Sequence, residues 1–162
     1  MRIKLCAVAA LVAIATLLPA GPSGAAARGE EHCAARVVGQ KASGEFIMSP
    51  TVCRSTREAA LVAVGARTAT GYQTQGSFTI GVHYDGFSLS GDSFSVVGDN
   101  CLGGWLNLSS SWDNRVSSTL NGCYRIIHYD GDSLSGSAES TFGGGGNLIG
   151  LNNKANSIQY SS

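Results

Sequence analysis

From Ser77 to the end, the chain is a series of short runs in which apolar and polar residues alternate, separated by glycine and serine. Phe94 and Val96 alternate with Ser93 and Ser95, the period of two expected of a half-buried strand. The same reading predicts strands over Thr79–Tyr84, Ser93–Val97, Trp105–Leu108, Val116–Leu120, Arg125–Tyr129, Ala138–Thr141, Asn147–Ile149 and Ser157–Tyr160. Upstream the pattern is different. Ala34–Val38 and Glu45–Met48 predict a hairpin across Lys41–Gly44. A helix is expected through Ala59–Val64, with Ser55 or Thr56 as N-cap, Glu58 in the first turn and Gly65 as its stop. Residues 28–76 therefore read as a small α+β segment, and residues 77–162 as an all-β domain.

The β region contains an internal repeat. Val82-His83-Tyr84-Asp85-Gly86-Phe87-Ser88-Leu89-Ser90-Gly91 returns as Ile127-His128-Tyr129-Asp130-Gly131-Asp132-Ser133-Leu134-Ser135-Gly136, with eight of ten positions identical. A second echo follows each copy in the same order. Asp113-Asn114-Arg115-Val116-Ser117-Ser118 matches Asn152-Asn153-Lys154-Ala155-Asn156-Ser157. Two ordered echoes imply duplication. Neither copy supplies enough strand surface to bury an apolar face alone, so two packed four-stranded units are expected.

The remaining segment is not part of the fold. Arg2 and Lys4 precede an apolar stretch from Leu5 to Leu18, and small residues end in Ala25-Ala26-Ala27. This is the layout of a secretory signal peptide over residues 1–27. Its removal takes Cys6 and leaves Cys33, Cys53, Cys101 and Cys123, an even set that suits two disulfides in an exported chain. Four cysteines allow three connectivities. The local pairs Cys33–Cys53 and Cys101–Cys123 are preferred, because each lies within one region. Composition agrees with an all-β fold rich in turns: 22 glycines and 14% charged residues among 162. Eleven basic residues balance eleven acidic ones, and loss of Arg2 and Lys4 gives a net charge of −2. That excludes the basic excess of a nucleic-acid binder and of a polybasic membrane-surface protein.

The paired polar runs carry the candidate chemistry. Asp113, Asn114 and Ser117, with their counterparts Asn152, Asn153 and Asn156, all present side-chain oxygen. A hard divalent cation such as Ca2+ takes several oxygen ligands in flexible geometry. The acidic turns Asp85-Gly86 and Asp130-Gly131 supply further oxygens, each turn serving the opposite copy. No His/Cys cluster favours copper, zinc or iron.

These residues resemble the βγ-crystallin superfamily, in its microbial, secreted, calcium-binding form. Tyr84…Leu89-Ser90-Gly91 and Tyr129…Leu134-Ser135-Gly136 look like the family's hairpin signature, with Leu where an aromatic is usual. Asp113 to Ser118 meets the calcium signature Asn/Asp-Asn/Asp-x-x-Ser/Thr-Ser, and Asn152 to Ser157 departs from it once, at Asn156. The resemblance covers Ser77 to the end. It implies two Greek-key motifs forming a sandwich, with two calcium sites shared crosswise. Carried over, Ser117 and the Asn114 carbonyl would serve one ion, and Asn156 and Asn153 the other. Asp85-Gly86 and Asp130-Gly131 would complete each other's shells.

Other features point away from catalysis. His83 and His128 occupy matching strand positions. Gly-x-Ser-x-Gly and His-Glu-x-x-His patterns are absent, and Gly143–Gly146 lacks the Lys-Ser/Thr of a phosphate loop. Trp105 and Trp112 read as core or edge anchors. The expected protein is a secreted, monomeric, non-enzymatic module whose fold Ca2+ stabilises. The alternative is a secreted protease inhibitor or killer-toxin-like protein of the same fold, acting on an extracellular protease or cell-surface target. For that role the Cys101–Cys123 region is the candidate exposed element.

Overall fold

The computed structural model describes residues 29–66 and 77–162. The expected leader over residues 1–27, and the boundary near Gly76, lie outside the described residues. Among these residues eleven strands and one α-helix follow in the order β1 (His32–Gln40), β2 (Phe46–Met48), β3 (Val52–Arg54), α1 (Arg57–Ala63), β4 (Phe78–Tyr84), β5 (Ser93–Gly98), β6 (Leu102–Asn107), β7 (Ser118–Asn121), β8 (Arg125–Tyr129), β9 (Ala138–Phe142), β10 (Gly146–Asn147) and β11 (Ser157–Ser161). No helix among the described residues is long and apolar enough to cross a membrane.

The N-terminal segment forms as its residues dictate. β1 and β2 pair across Lys41–Gly44, where Gly44 takes a φ of 87° that suits glycine. Thr56 caps α1 by accepting from the Ala59 amide. Gly65 stops the helix: its amide donates to the Val62 carbonyl while Ala66 donates to Leu61, the bond pair of a Schellman ending. β3 escapes the sequence pattern. Three residues carry no period, and the strand exists because Cys53 lies directly opposite Cys33 on β1 and is bonded to it.

The β region is an all-β sandwich of two Greek keys. One sheet runs β10-β7-β4-β5-β1-β2, with β3 also on β1, and the other runs β6-β11-β8-β9. The layers do not coincide with the two copies. Each copy keeps three strands together and sends its third across, so β6 joins β11 and β10 joins β7. This exchange is why neither copy can close its core alone. Between the layers lie Ile80, Val96, Val116, Ile126, Leu148, Ile158 and Tyr160, all fully buried.

The N-terminal segment extends this core. β1 lies parallel to β5, from His32 opposite Ser93 to Arg36 opposite Val97. Phe46 of β2 enters the core beside Tyr160, with ring centroids 5.9 Å apart, and covers Gly104 of β6, where any Cβ would collide with its ring. The adjacent turn is tied to the same strand: Trp105 donates from its indole to the Ser43 carbonyl (3.1 Å) and from its amide to Gly44 (3.2 Å). The segment thereby closes the side of the sandwich between β1 and β6. Cys101 and Cys123 form the second disulfide, joining the start of β6 to the β7–β8 connection.

Candidate metal centre

Each copy builds the same hairpin. After Tyr84 and Tyr129 the chain turns so that the Gly86 amide donates to Ser90 (3.0 Å) and the Gly131 amide to Ser135 (3.1 Å). The final serine of each polar run holds this turn to the sheet. Buried Ser118 donates to the Gly86 carbonyl (2.6 Å) and accepts from the Leu89 amide (3.0 Å). Ser157 does the same for Gly131 (2.6 Å) and Leu134 (3.0 Å). The Gly86 and Gly131 carbonyls are thus engaged in serine staples. Leu89 and Leu134, with φ of 61° and 62°, keep a left-handed backbone that these bonds over-determine.

The fifth residue of the first run stands beside its own hairpin. Ser117 donates its amide to the Tyr84 carbonyl (2.7 Å) and its hydroxyl to the Asp85 carbonyl (2.7 Å). Asn153, from the second run, brings its Oδ1 to 3.0 Å from the same hydroxyl. Two acceptor oxygens thus compete for one hydroxyl hydrogen, and a serine has only one to give. Asn153 is set there by a left-handed φ of 54° and by its amide bond to Val116 (2.9 Å).

The second run repeats the backbone arrangement. Asn156 donates its amide to Tyr129 (2.8 Å), and Asn114, at φ 57°, donates to Ala155 (3.0 Å). The side chains differ. Asn156 Oδ1 is buried without a hydrogen-bond partner, and so are Asp113 Oδ1 and Asn152 Oδ1, the first side chains of the two runs. A buried oxygen left unpaired costs about 1–3 kcal/mol, so each of these three positions is short of a donor or a positive charge. Oxygen-only donors from carboxylate, amide, hydroxyl and backbone fit a hard cation of the calcium type.

Oxygens of the two copies do meet, in a grouping that differs from the expected one. Ser117 meets Asn153 and the carbonyl of Asp85, rather than Asn114 and the Asp130 turn. β4 and β7 are neighbours with Tyr84 opposite Ser118, so Ser117 must lie beside its own copy's turn. Only the asparagine crosses. The matching backbone bonds of Asn156 to Tyr129 and of Asn114 to Ala155 set these two asparagines in the corresponding places of the second half.

The side chains of Asp85 and Asp130 are already used. Asp85 meets the Arg115 guanidinium at 2.7 Å, and the same nitrogen reaches Asp92 at 3.1 Å. The Glu31 amide, and after it Arg115, hold the Asp92 carboxyl below the ordinary carboxylate range. Asp130 accepts from the Ser137 amide (2.6 Å). It lines a cleft of about 400 Å³ with Glu139, Gly150, Leu151 and Lys154. The Glu139 carboxylate fixes that cleft by accepting from the amides of Ile149 (2.9 Å) and Leu151 (2.8 Å).

The matching histidines meet in the core. His83 Nε2 lies 2.8 Å from the Tyr160 hydroxyl and its Nδ1 3.3 Å from His128 Nε2, while Thr119 bridges both rings at 3.2 and 2.9 Å. Burial, and then the neighbouring His128, push the His83 pKa well down. Burial pushes His128 down to about 3. Burial likewise raises the Tyr160 hydroxyl above its ordinary value. This network ties the two copies together as neutral groups.

Other candidates resolve structurally. Glu31, Cys33 and Cys53 lie together, but the disulfide consumes both thiols. His32 is half-buried on Ser93 (2.8 Å). Trp112 is buried against Phe94, and Arg115 covers its face at 4.8 Å. Leu102, beside Cys101, is a strand residue paired with Ser161. Gly145 is the close approach in the four-glycine run: a Cβ there would strike the Thr119 carbonyl as β10 seats on β7. Arg115, Ser118 and Ser157 are side chains around the candidate site to which pattern reading gave no role. Their signal was present as a basic third and an invariably serine sixth position of each run.

No known family profile matches the chain, and no curated protein matches it. Two solved structures are similar to it. The N-terminal domain of protein S is 17% identical, with a TM-score of 0.41, over 51% of this chain and 94% of that one. A double mutant of a βγ-crystallin domain from Clostridium beijerinckii is 19% identical, with a TM-score of 0.42, over 51% of this chain and 97% of that one.

Proposed function

We propose that this protein is an exported, non-enzymatic module that binds Ca2+ at the seam between its two Greek keys and is stabilised by it. The observation that carries the reading is the Ser117 hydroxyl, which lies 2.7 Å from the Asp85 carbonyl and 3.0 Å from Asn153 Oδ1 with one hydrogen for both. A cation among these oxygens would satisfy all three at once. The first site would use Asp85, Ser117 and Asn153. The second would use Asp130, Asn156 and Asn114, with the buried oxygens of Asp113 and Asn152 at the base of the runs. Two disulfides suit an oxidising compartment outside the cytosol.

The ligands of each site come from both copies, so the unfolded chain holds no comparable site and binding must favour folding. Extracellular calcium modules have dissociation constants of roughly 10⁻⁴–10⁻³ M. An ion excess of about tenfold over that constant stabilises by about 1.4 kcal/mol, and about a hundredfold by about 2.7 kcal/mol. Thermal unfolding of the protein in EDTA and in millimolar calcium chloride tests this. A higher melting temperature with calcium, reversed by chelation and accompanied by binding heat in calorimetry, is expected. Identical melting in both media with no binding heat would overturn the reading.

A further inference from the structure

The two halves of the seam differ at one spacer residue, and the difference is electrostatic. Arg115, third in the first run, is pinned on every side. Its guanidinium bonds the Asp85 carboxylate at 2.7 Å and Asp92 at 3.1 Å, donates to the Ser111 carbonyl at 3.0 Å, and lies over Trp112 at 4.8 Å. Asp92 is itself anchored by the Glu31 amide at 2.7 Å, which links this charge cluster to β1 and so to the N-terminal segment. Lys154 occupies the equivalent place in the second run. Its ammonium reaches only the Gly150 carbonyl, at 3.4 Å, and among the described residues it forms no ion pair.

We propose that Arg115 is a resident counter-ion that makes the first cation site weaker than the second. This rests on the cation-binding reading above and adds an order of filling to it. A fixed positive charge neutralises the carboxylate of the same Asp85 whose carbonyl faces Ser117. An incoming dication adds to the positive charge already held against the Asp85 turn, which raises the cost of binding there. The exposed ammonium of Lys154 is screened by water and imposes far less. Tight, bidentate or multiply anchored guanidinium contacts of this kind are not reproduced by lysine. The second site, with the unpaired oxygen of Asn156 and no pinned cation, therefore fills first.

Calorimetric titration of the full protein with calcium chloride tests the proposal. The native chain should show two unequal steps, and Ser117→Ala should remove the weaker one. Arg115→Gln should tighten the weaker step by about tenfold, the order of effect of removing one unit charge, and leave the other unchanged. Lys154→Gln should change either step less than twofold. Should Arg115→Gln fail to fold, the guanidinium NMR signal of Arg115 in the native protein gives the answer, since it should shift with the weaker step only. Two steps that Arg115→Gln leaves unaltered, an equal gain from Lys154→Gln, or an Arg115 signal that follows the tighter step would overturn the proposal while sparing calcium binding. Absence of any calcium heat in the native protein would overturn both.

Discussion

Asn153 of the second copy places its Oδ1 3.0 Å from the hydroxyl of Ser117 in the first. The two residues lie 36 positions apart in the chain, and the bond exists only because each copy lends a strand to the other's sheet. Joining the copies and gathering the oxygens are therefore one event.

Ser117→Ala removes the hydrogen that the Asp85 carbonyl and Asn153 share. The partly exposed Asp85 carbonyl and Asn153 oxygen lose that partner to water, so the loss in calcium-free buffer should be small, about 0.5–1.5 kcal/mol. One calcium step should disappear while the other persists. Urea unfolding in EDTA, paired with calorimetry, reads both effects, and retention of both binding steps would contradict the site.

His83 and His128 predict acid sensitivity. Both pKa values are lowered in the folded protein, so the unfolded chain takes up protons first as the pH falls below about 6.5. Stability is complete above that pH and declines below it, for His128 down to about pH 3. At pH 5 the His128 contribution alone is a loss of about 2 kcal/mol, and His83 acts in the same direction. Denaturant midpoints measured between pH 7.5 and 5 should drop, and ring proton NMR should show neither imidazole titrating near 6.5.

Either disulfide closes a loop of similar length, with separations of 20 and 22 residues. Replacing Cys33 and Cys53 by serine should lower stability by about 3 kcal/mol. It should also loosen β3, whose strand pairing is with β1 alone, so hydrogen exchange over Val52–Arg54 should accelerate ahead of the rest. Unchanged protection of that strand would show that the disulfide is not what holds it.

Gly104→Ala drives a methyl group into the Phe46 ring. Overpacking of this kind costs about 1–3 kcal/mol. The N-terminal segment should loosen first, with Trp105 fluorescence reporting loss of its indole bond to Ser43. The compensating change Phe46→Leu in the same chain should recover part of the loss.

Alternation and repetition made most strands legible. The predicted Arg125–Tyr129 is β8 itself, and the other seven predictions in the β region fall within a few residues of β4–β7 and β9–β11. The cap and stop of α1 were equally local, since Thr56 and Gly65 act on residues within one helical turn. β3 was hidden because its period is set by a covalent partner. The grouping of the site was hidden for a related reason: a run such as Asp113–Ser118 shows which atoms are on offer but not which turn lies opposite them.

The amino-acid sequence by itself determined the duplication, the turn residues, the oxygen-bearing runs and the cysteines available for pairing, because each depends on residue type and short spacing. Tertiary structure alone decided that Ser117 meets Asn153, that Arg115 occupies the Asp85 carboxylate, and that Phe46 closes the sandwich. Those contacts depend on which strands become neighbours, and strand exchange is settled by burying both copies' apolar faces together.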